Sequence, residues 1–530
     1  MKKRIITAVL MTALLAGCGK ADEPERDRHA SEEEEETEEE DEEEESDEKE
    51  SGHDKPEAET GTGKEDRTAA GTSGSLQISI TQEVSSRTDE NGMLLFRGTY
   101  PHIILDTPGY DSLAETFDRM NVSYFNYVED TANNFVTDWS DYIDTDSFAY
   151  GESMSTVDVC RADDAVVSLL DFDYTYLGGV HPNYVYMSNN FDPATGDKLS
   201  ISDVLQDGQE THLAELIEAD LLSRFEEDVF FSDISDAVEE VMGMAGLNFT
   251  LGYDSLTVYF SPYELAPYAY GGMVIDLPYA DYPELVKDEY RETTVEDYIT
   301  KVRSEDTIRL RDGRMIFYTR NWDGYNSIES ITFTEDGKEQ QFDVYAFATV
   351  MYVAYIGDKT YLYLDDERDN AAHFLQCIDI SGAKYAEAED EITGGFYSTP
   401  YNPDCVQLCT YSVMMSTSQV WQYRLVTPDG QIVPFDGTYY FIATDLDRKL
   451  TLKQDLTVEY REEFMGESEE IDLAAGNELY FYATDNETYV DFLLEGRGGY
   501  VRLYVNPEEW PQTIDGTDIE ELFDGILFAG

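Results

Sequence analysis

Gly178-Gly179-Val180-His181-Pro182-Asn183-Tyr184 decides the reading of the fold, because it joins two strand-like runs, Ala165 to Leu177 and Tyr184 to Phe191, with residues that build turns. Just downstream, Asp192-Pro193-Ala194-Thr195-Gly196 is a second tight turn, and Ser200 to Asp203 offer N-cap chemistry for a short helix. Upstream, Leu76, Ile78 and Ile80 alternate as a half-buried strand requires, and another strand follows near Met93 to Tyr100. Leu113, Phe117, Met120, Tyr124, Tyr127, Val128, Phe135 and Trp139 recur at steps of three and four, predicting one long amphipathic helix across a sheet. Leu213, Leu216, Ile217, Leu221, Leu222 and Phe225 predict a second helix, and Asn248 to Thr250 with Ser255 to Phe260 a hairpin-like pair. Residues 75–290 are thus expected to be an α+β domain, an antiparallel sheet with two long helices, in two subdomains of about 75–158 and 159–290.

From about Glu292 the pattern turns to short strands: Arg314 to Arg320, Ser327 to Thr334, Gln341 to Tyr345, Thr349 to Ile356, Thr360 to Leu364, Phe374 to Ile380 and Val406 to Met414. Their spacing predicts a β-rich domain over 291–435, a sandwich, barrel or partial propeller. Five further strands over 436–530 resemble a small SH3-like barrel, on Phe481-Tyr482-Ala483-Thr484-Asp485 and Tyr489-Val490-Asp491-Phe492.

The chain has 530 residues, of which 113 are acidic and 35 basic, for a net charge of −78. Phosphates would be repelled, which argues against nucleic acid as a partner. With 41% hydrophobic and 13% aromatic residues there is enough apolar surface for real cores. Residues 21–67 carry −19 and residues 1–20 carry +4, so the remainder holds −63 and is acidic in its own right. Lys2, Lys3 and Arg4 precede the apolar stretch Ile5 to Ala16, which is the length of a signal-peptide core. It ends in Leu15-Ala16-Gly17-Cys18, similar to the bacterial lipobox, which implies a signal peptide over 1–18 and a diacylglyceryl group on Cys18. Residues 19–74 read as a disordered acidic tether, since such a composition buries too little to offset its ordering entropy. No other run approaches 18 consecutive apolar residues, so the lipid is the expected attachment, on the outer face of the membrane of a Gram-positive bacterium.

Cys160, Cys377, Cys405 and Cys409 allow three disulfide pairings, between which the sequence does not choose, and free buried thiols are the alternative. The acidic pairs Asp144 with Asp146, Asp365 with Asp366 and Asp445 with Asp447 complete no calcium loop and read as solvated surface. No metal and no cofactor is expected. His181, with Glu264 or an aspartate, could serve as a base or metal ligand, or simply satisfy a local hydrogen bond in a glycine-rich turn. HExxH, GxSxG and Walker sequences do not occur, so the chain is not expected to be an enzyme. Tyr263, Glu264, Tyr268 and Tyr270, between Pro262 and Gly271, read as a packed loop or as a partner-facing patch.

Three runs together, Gly178 to Tyr184, Asn190 to Leu205 and Tyr259 to Gly271, resemble the extracellular domain of RsiV-type anti-sigma factors. That domain is shared with the non-catalytic N-terminal region of PdaC-type peptidoglycan deacetylases. Residues 76–158 resemble the companion subdomain that precedes it there. The resemblance implies binding to a cell-wall-related partner, since RsiV-type ectodomains bind lysozyme, and it nominates Gly178, Gly179, His181, Asn183, Tyr184, Tyr263, Glu264, Tyr268 and Tyr270. The chain shows neither a transmembrane helix with a sigma-binding segment nor a deacetylase domain, so capture of lysozyme or retention of peptidoglycan is expected rather than signalling or chemistry. An unrecognised wall hydrolase using His181 is a further alternative.

Overall fold

A computed structural model describes residues 74–528 except 90–92, 140–149, 244–245, 325, 389–390, 436–438, 444–445, 447 and 495–496. The signal sequence with Cys18, the acidic tether, and the pairs Asp144/Asp146 and Asp445/Asp447 lie outside the described residues.

The first sheet holds β1 (Ile78–Thr88), β2 (Leu94–Leu105), β3 (Gly151–Ala162), β4 (Val167–Tyr176) and β5 (Asn183–Phe191), in that order. Between β2 and β3 runs helix α1 (Asp111–Asp138), whose 28 residues bury Leu113, Phe117, Tyr124, Val128 and Phe135. At about 1.5 Å per residue this helix carries the chain back across the sheet. Consequently β3 runs parallel to β2, Phe96 facing Gly151, and the sheet is mixed where an antiparallel one is expected from the sequence. Gly98 lets the helix lie close, for a Cβ there would stand 2.2 Å from the Val128 methyl.

A second layer follows: α2 (Ile201–Val204), α3 (Glu210–Arg224), α4 (Ile234–Gly243), and an antiparallel sheet of β6 (Asn248–Leu251), β7 (Ser255–Phe260) and β8 (Met273–Pro278). Leu213, Ile217 and Leu221 of α3 share a core with Val238, Phe249, Val258 and Ile275. Side chains join the two sheets where no ladder does. The Phe249 amide donates to Ser188 Oγ at 2.8 Å, the Leu251 amide to Ser168 Oγ at 2.9 Å, and Asn190 Nδ2 to the Phe249 carbonyl at 2.8 Å. Each buried polar group at this seam therefore has a partner.

The β-rich region begins with β9 (Tyr298–Lys301), β10 (Thr307–Arg309), β11 (Met315–Trp322), β12 (Ile328–Glu335), β13 (Lys338–Ala346), β14 (Ala348–Ile356), β15 (Lys359–Glu367) and β16 (His373–Asp379). One sheet runs β10-β11-β12-β13, and another places β9, β14, β15 and β16 side by side. Ile316, Ile331 and Phe333 of the first meet Val353, Leu362 and Ile378 of the second in one core, which also takes in Ile78, Phe117 and Val159 of the α+β layer. The strands of 395–524, apart from a separate hairpin of Thr513–Ile514 with Thr517–Asp518, form a further open sheet in which Tyr440–Ile442 links the segments before and after it, with the Phe441 ring centred 4.9 Å from that of Trp421. The C-terminal stretch is β as expected, but no sheet among the described residues closes into a barrel. No described helix is long and apolar enough to cross a membrane.

Two places tie the regions together. Arg161, fully buried at the end of β3, donates through Nε to buried Asp163 at 2.8 Å and through its terminal nitrogens to the carbonyls of Tyr290 and Glu292. Asp163 also accepts from the Thr293 hydroxyl at 2.8 Å and from the Ala165 and Val166 amides, both at 3.0 Å. Farther round, the Tyr401 hydroxyl accepts from the Ile78 amide at 2.9 Å and donates to the Leu76 carbonyl at 3.1 Å.

Asp365 and Asp366, read from sequence as solvated surface, are buried instead. They sit near the C-terminal end of β15, where Asp365 holds His373 Nδ1 at 2.8 Å and the Phe396 amide at 2.9 Å, while Asp366 accepts from the Thr349 hydroxyl at 2.6 Å. All four described cysteines are free thiols. Asp171 is buried under α1, accepting from Tyr124 at 2.7 Å and Asn189 at 3.0 Å through one oxygen, with no partner on the other. Burial pushes its carboxyl up to about 7, against the hydrogen bonds that favour its charge and with neighbouring Asp173 adding to the rise.

Two outcomes follow from these buried charges. Arg161→Met leaves the Asp163 carboxyl buried without its cation, and the chain should lose about 3–5 kcal/mol in urea-induced unfolding; an unchanged midpoint would refute the role given to the pair. The folded state keeps the Asp171 proton up to about pH 7, whereas an unfolded aspartic acid releases it near about 3.9, so its contribution is full below the lower value and lost as pH rises through the upper one. Asp171→Asn should therefore flatten the decline in stability between about pH 5 and 8 by on the order of 3 kcal/mol, read from urea midpoints across that range; parallel profiles for parent and variant would contradict it.

Candidate functional site

Because β5 lies against β6 and β7, the β4–β5 connection and the β7–β8 connection come to the same edge of the molecule. The Gly178 to Asn183 turn and the Tyr263 to Tyr270 loop, some eighty positions apart, therefore form one surface. The His181 ring stacks on the Tyr268 ring with centroids 3.9 Å apart and planes 17° from parallel. Its Nδ1 lies 2.7 Å from the Pro182 carbonyl and its Nε2 3.1 Å from the Tyr263 hydroxyl. A carbonyl only accepts, which assigns the proton to Nδ1 and makes Nε2 the acceptor of the Tyr263 O–H. Both ring nitrogens are thus engaged by the loops themselves.

Beneath this stack lies an aromatic wall. Tyr184 meets Tyr268 edge-on at 6.2 Å, and its hydroxyl accepts from the Gly272 amide at 2.7 Å. Phe172 packs on Tyr184 at 5.4 Å and on Tyr186 at 5.7 Å, and Tyr186 on Tyr259 at 5.6 Å. Burial pushes the Tyr268 phenol up, with Tyr184 and Tyr263 adding to the rise, so it is a neutral hydroxyl at physiological pH. The outer rim is Val180, 99% exposed, with Tyr263 and Tyr270. Tyr270 leans edge-on to Phe225 at 6.3 Å. Tyr263 adopts φ +71°, an uncommon conformation for a ring-bearing residue, held by its amide bond to the Ala266 carbonyl at 3.1 Å.

The structure thus brings together Gly178, Gly179, His181, Tyr184, Tyr263, Tyr268 and Tyr270, with exposed Asn183 starting β5 beside them. It does not pair Glu264 with His181: Glu264 bends back to accept from the Ser261 amide, closing its own loop. Gly178, at φ +88°, is required by close approach, since a Cβ there would lie 2.4 Å from the Trp139 ring. Phe172, Tyr186, Tyr259 and Trp139 are members that the sequence reading did not single out. The alternation of Tyr184 with Tyr186 in β5 carried the signal, but only the strand register shows which face they share. Among the described residues no group of three histidine, cysteine or carboxylate side chains is gathered to hold a metal ion. The arrangement is an open, ring-faced surface with hydroxyls at its rim, suited to stacking and hydrogen bonding.

Residues 202–280 match the family described as "Protein of unknown function (DUF3298)". The chain therefore carries a DUF3298 domain there, and it holds the Tyr263 to Tyr270 half of the patch while the Gly178 to Tyr184 half precedes it. Two solved structures are similar. A member of the DUF3298 family from Bacteroides fragilis NCTC 9343 has 16% identity and a TM-score of 0.31, the match covering 41% of this chain and 96% of that one. A DUF3298 family protein from Pseudomonas aeruginosa PAO1 has 16% identity and a TM-score of 0.29, covering 41% and 97%. No curated protein matches.

Gly178→Ala tests the close approach. It should lower stability by about 1–3 kcal/mol through the strained backbone angle and the displaced Trp139 ring, with a loss of near-ultraviolet circular dichroism; a spectrum and melt equal to the parent's would show that the turn has room to spare.

Proposed function

We propose that this chain is a lipid-anchored surface protein of a Gram-positive bacterium that binds a cell-wall-related partner through the His181–Tyr263–Tyr268 patch, and that the partner is a cationic wall-active protein such as lysozyme. The observation that carries the reading is the convergence of the two resemblance-bearing loops into one exposed aromatic surface, His181 stacked on Tyr268 at 3.9 Å. Exposed tyrosines with a polar tip and an apolar body are favoured where proteins dock. The charge of −63 beyond residue 67 supports a basic partner, which it would attract over about 8–10 Å and bring to encounter faster at low salt. Binding rather than catalysis is supported by His181, whose two nitrogens are taken up by Pro182 and Tyr263. In this reading Cys18 bears the lipid and the acidic segment holds the folded part away from the membrane. The ring faces also favour a second reading, retention of wall glycan by stacking on Tyr263 and Tyr268, in an accessory lipoprotein without chemistry of its own.

Calorimetric titration of the chain from Ser75 onward with lysozyme at about 50 and 300 mM salt separates the cases. Saturable one-to-one binding that persists at the higher salt, that an equally basic unrelated protein does not share, and that weakens by about tenfold or more in Tyr268→Ala is expected. Heat seen equally with the unrelated protein and abolished by salt would reduce the effect to charge attraction. Retention on purified wall sacculi at high salt would favour the glycan reading instead.

A further inference from the structure

A second feature lies in the β-rich region and does not rest on the His181 patch. Ile328 pairs with Ala346 but Ser330 pairs with Asp343, so β13 carries one residue more than β12 between these points. This bulge puts Tyr345 at φ +57° and turns its ring outward, leaving it 66% exposed. Phe347, two residues on, is 48% exposed. Together with Phe374 they line a cleft of roughly 540 Å³ between the end of β13 and the β15–β16 connection.

The charges of this cleft are one-sided. Asp323, Glu329 and Asp369 line it. Arg368 is the cation lining it among the described residues, and its guanidinium is taken up by Glu391, with Nη1 3.0 Å from the carboxylate, while it lies 4.3 Å over the Phe374 ring. What is left is a set of ring faces, whose π-clouds attract cations, beside the carboxylates of Glu329 and Asp369. Anionic ligands are repelled there, and a neutral one would leave the carboxylates unused.

We propose that this cleft binds a basic peptide segment, taking a lysine or arginine side chain between the Tyr345 and Phe347 rings with Glu329 and Asp369 as counter-charges. Ring faces hold the flat or methylene-flanked cation, and the carboxylates accept its N–H bonds. The strained backbone of Tyr345 fits this use, because a bulge that merely turned the chain would accept glycine without strain.

The test is calorimetric titration of the full chain with a triarginine amide at about 50 mM salt, alongside Tyr345→Gly, Phe347→Ala and Glu329→Gln. The acidic segment of residues 21–67 is common to all four proteins, so its diffuse heat is common too. The parent should show one saturable component, about three- to tenfold weaker for each ring removed. In Glu329→Gln it should be about threefold weaker, with a shallower salt dependence. Tyr345→Gly should melt at or above the parent temperature, which separates lost binding from lost folding. A parent without a saturable component, isotherms unchanged in the three variants, or saturable binding of a neutral N-acetylglucosamine trisaccharide in place of the peptide would each overturn the proposal.

Discussion

Arg161 and Asp163 stand two residues apart at the end of β3, both sealed from water, and the arrangement of the α+β layer against the β-rich region depends on them. A buried guanidinium is tolerable only when its N–H groups meet acceptors, and a buried carboxylate only when donors surround it. Satisfying Arg161 brings the carbonyls of Tyr290 and Glu292 to the end of β3, and satisfying Asp163 brings Thr293. The chain must therefore leave the DUF3298 domain at this spot. Tyr253 is set next to the guanidinium, 5.6 Å from its ring centre, and in turn stacks on Tyr298 at 4.5 Å, which meets Tyr355 at 4.8 Å. One ion pair thus decides where β9 enters its sheet.

The same logic recurs at other buried carboxylates. Asp491 receives both Nε and Nη2 of Arg502, at 2.7 and 2.6 Å, and the guanidinium lies 3.5 Å over the Tyr489 ring. Asp365 has His373, Asp366 has Thr349, and Asp171 has Tyr124 with Asn189. Even where the partner is a full cation, burial pushes the Asp491 carboxyl up, with the hydrogen bonds and charge of Arg502 opposing the rise. Where the partner is a hydroxyl or amide, burial wins and the proton is held toward neutrality, as at Asp171 and Asp366, both pushed up to about 7. Asp173 is buried as well, and burial pushes its carboxyl up.

The His181 patch is a consequence of the seam between β5 and β6. Ser168, Ser188 and Asn190 replace a backbone ladder with side-chain bonds, and that offset sets the β7–β8 loop over the β4–β5 turn. A continuous ladder would fix a different spacing between the loops. The patch is also self-supporting: His181, Tyr263, Tyr268 and Tyr184 hold one another through ring contacts and hydroxyls, so its shape does not wait on a ligand.

Periodicity alone determined the long helix from its Leu113, Phe117, Tyr124, Val128 and Phe135 stripe, the second helix from Leu213, Ile217 and Leu221, and most strands of the β-rich region, because helix and strand periods are local properties of the chain. It also marked both loops of the patch by their glycines, prolines and aromatics. It did not show that β3 runs parallel to β2, that Asp365 and Asp366 are buried, or that the last strands continue an open sheet. Nor could it show that Glu264 turns away from His181, or that Tyr345 sits on a bulge. Those depend on which strand a segment pairs with and which face is covered, and pairing is settled by contacts between residues far apart in the chain, where the burial of one group is fixed by the partners that folding brings to it.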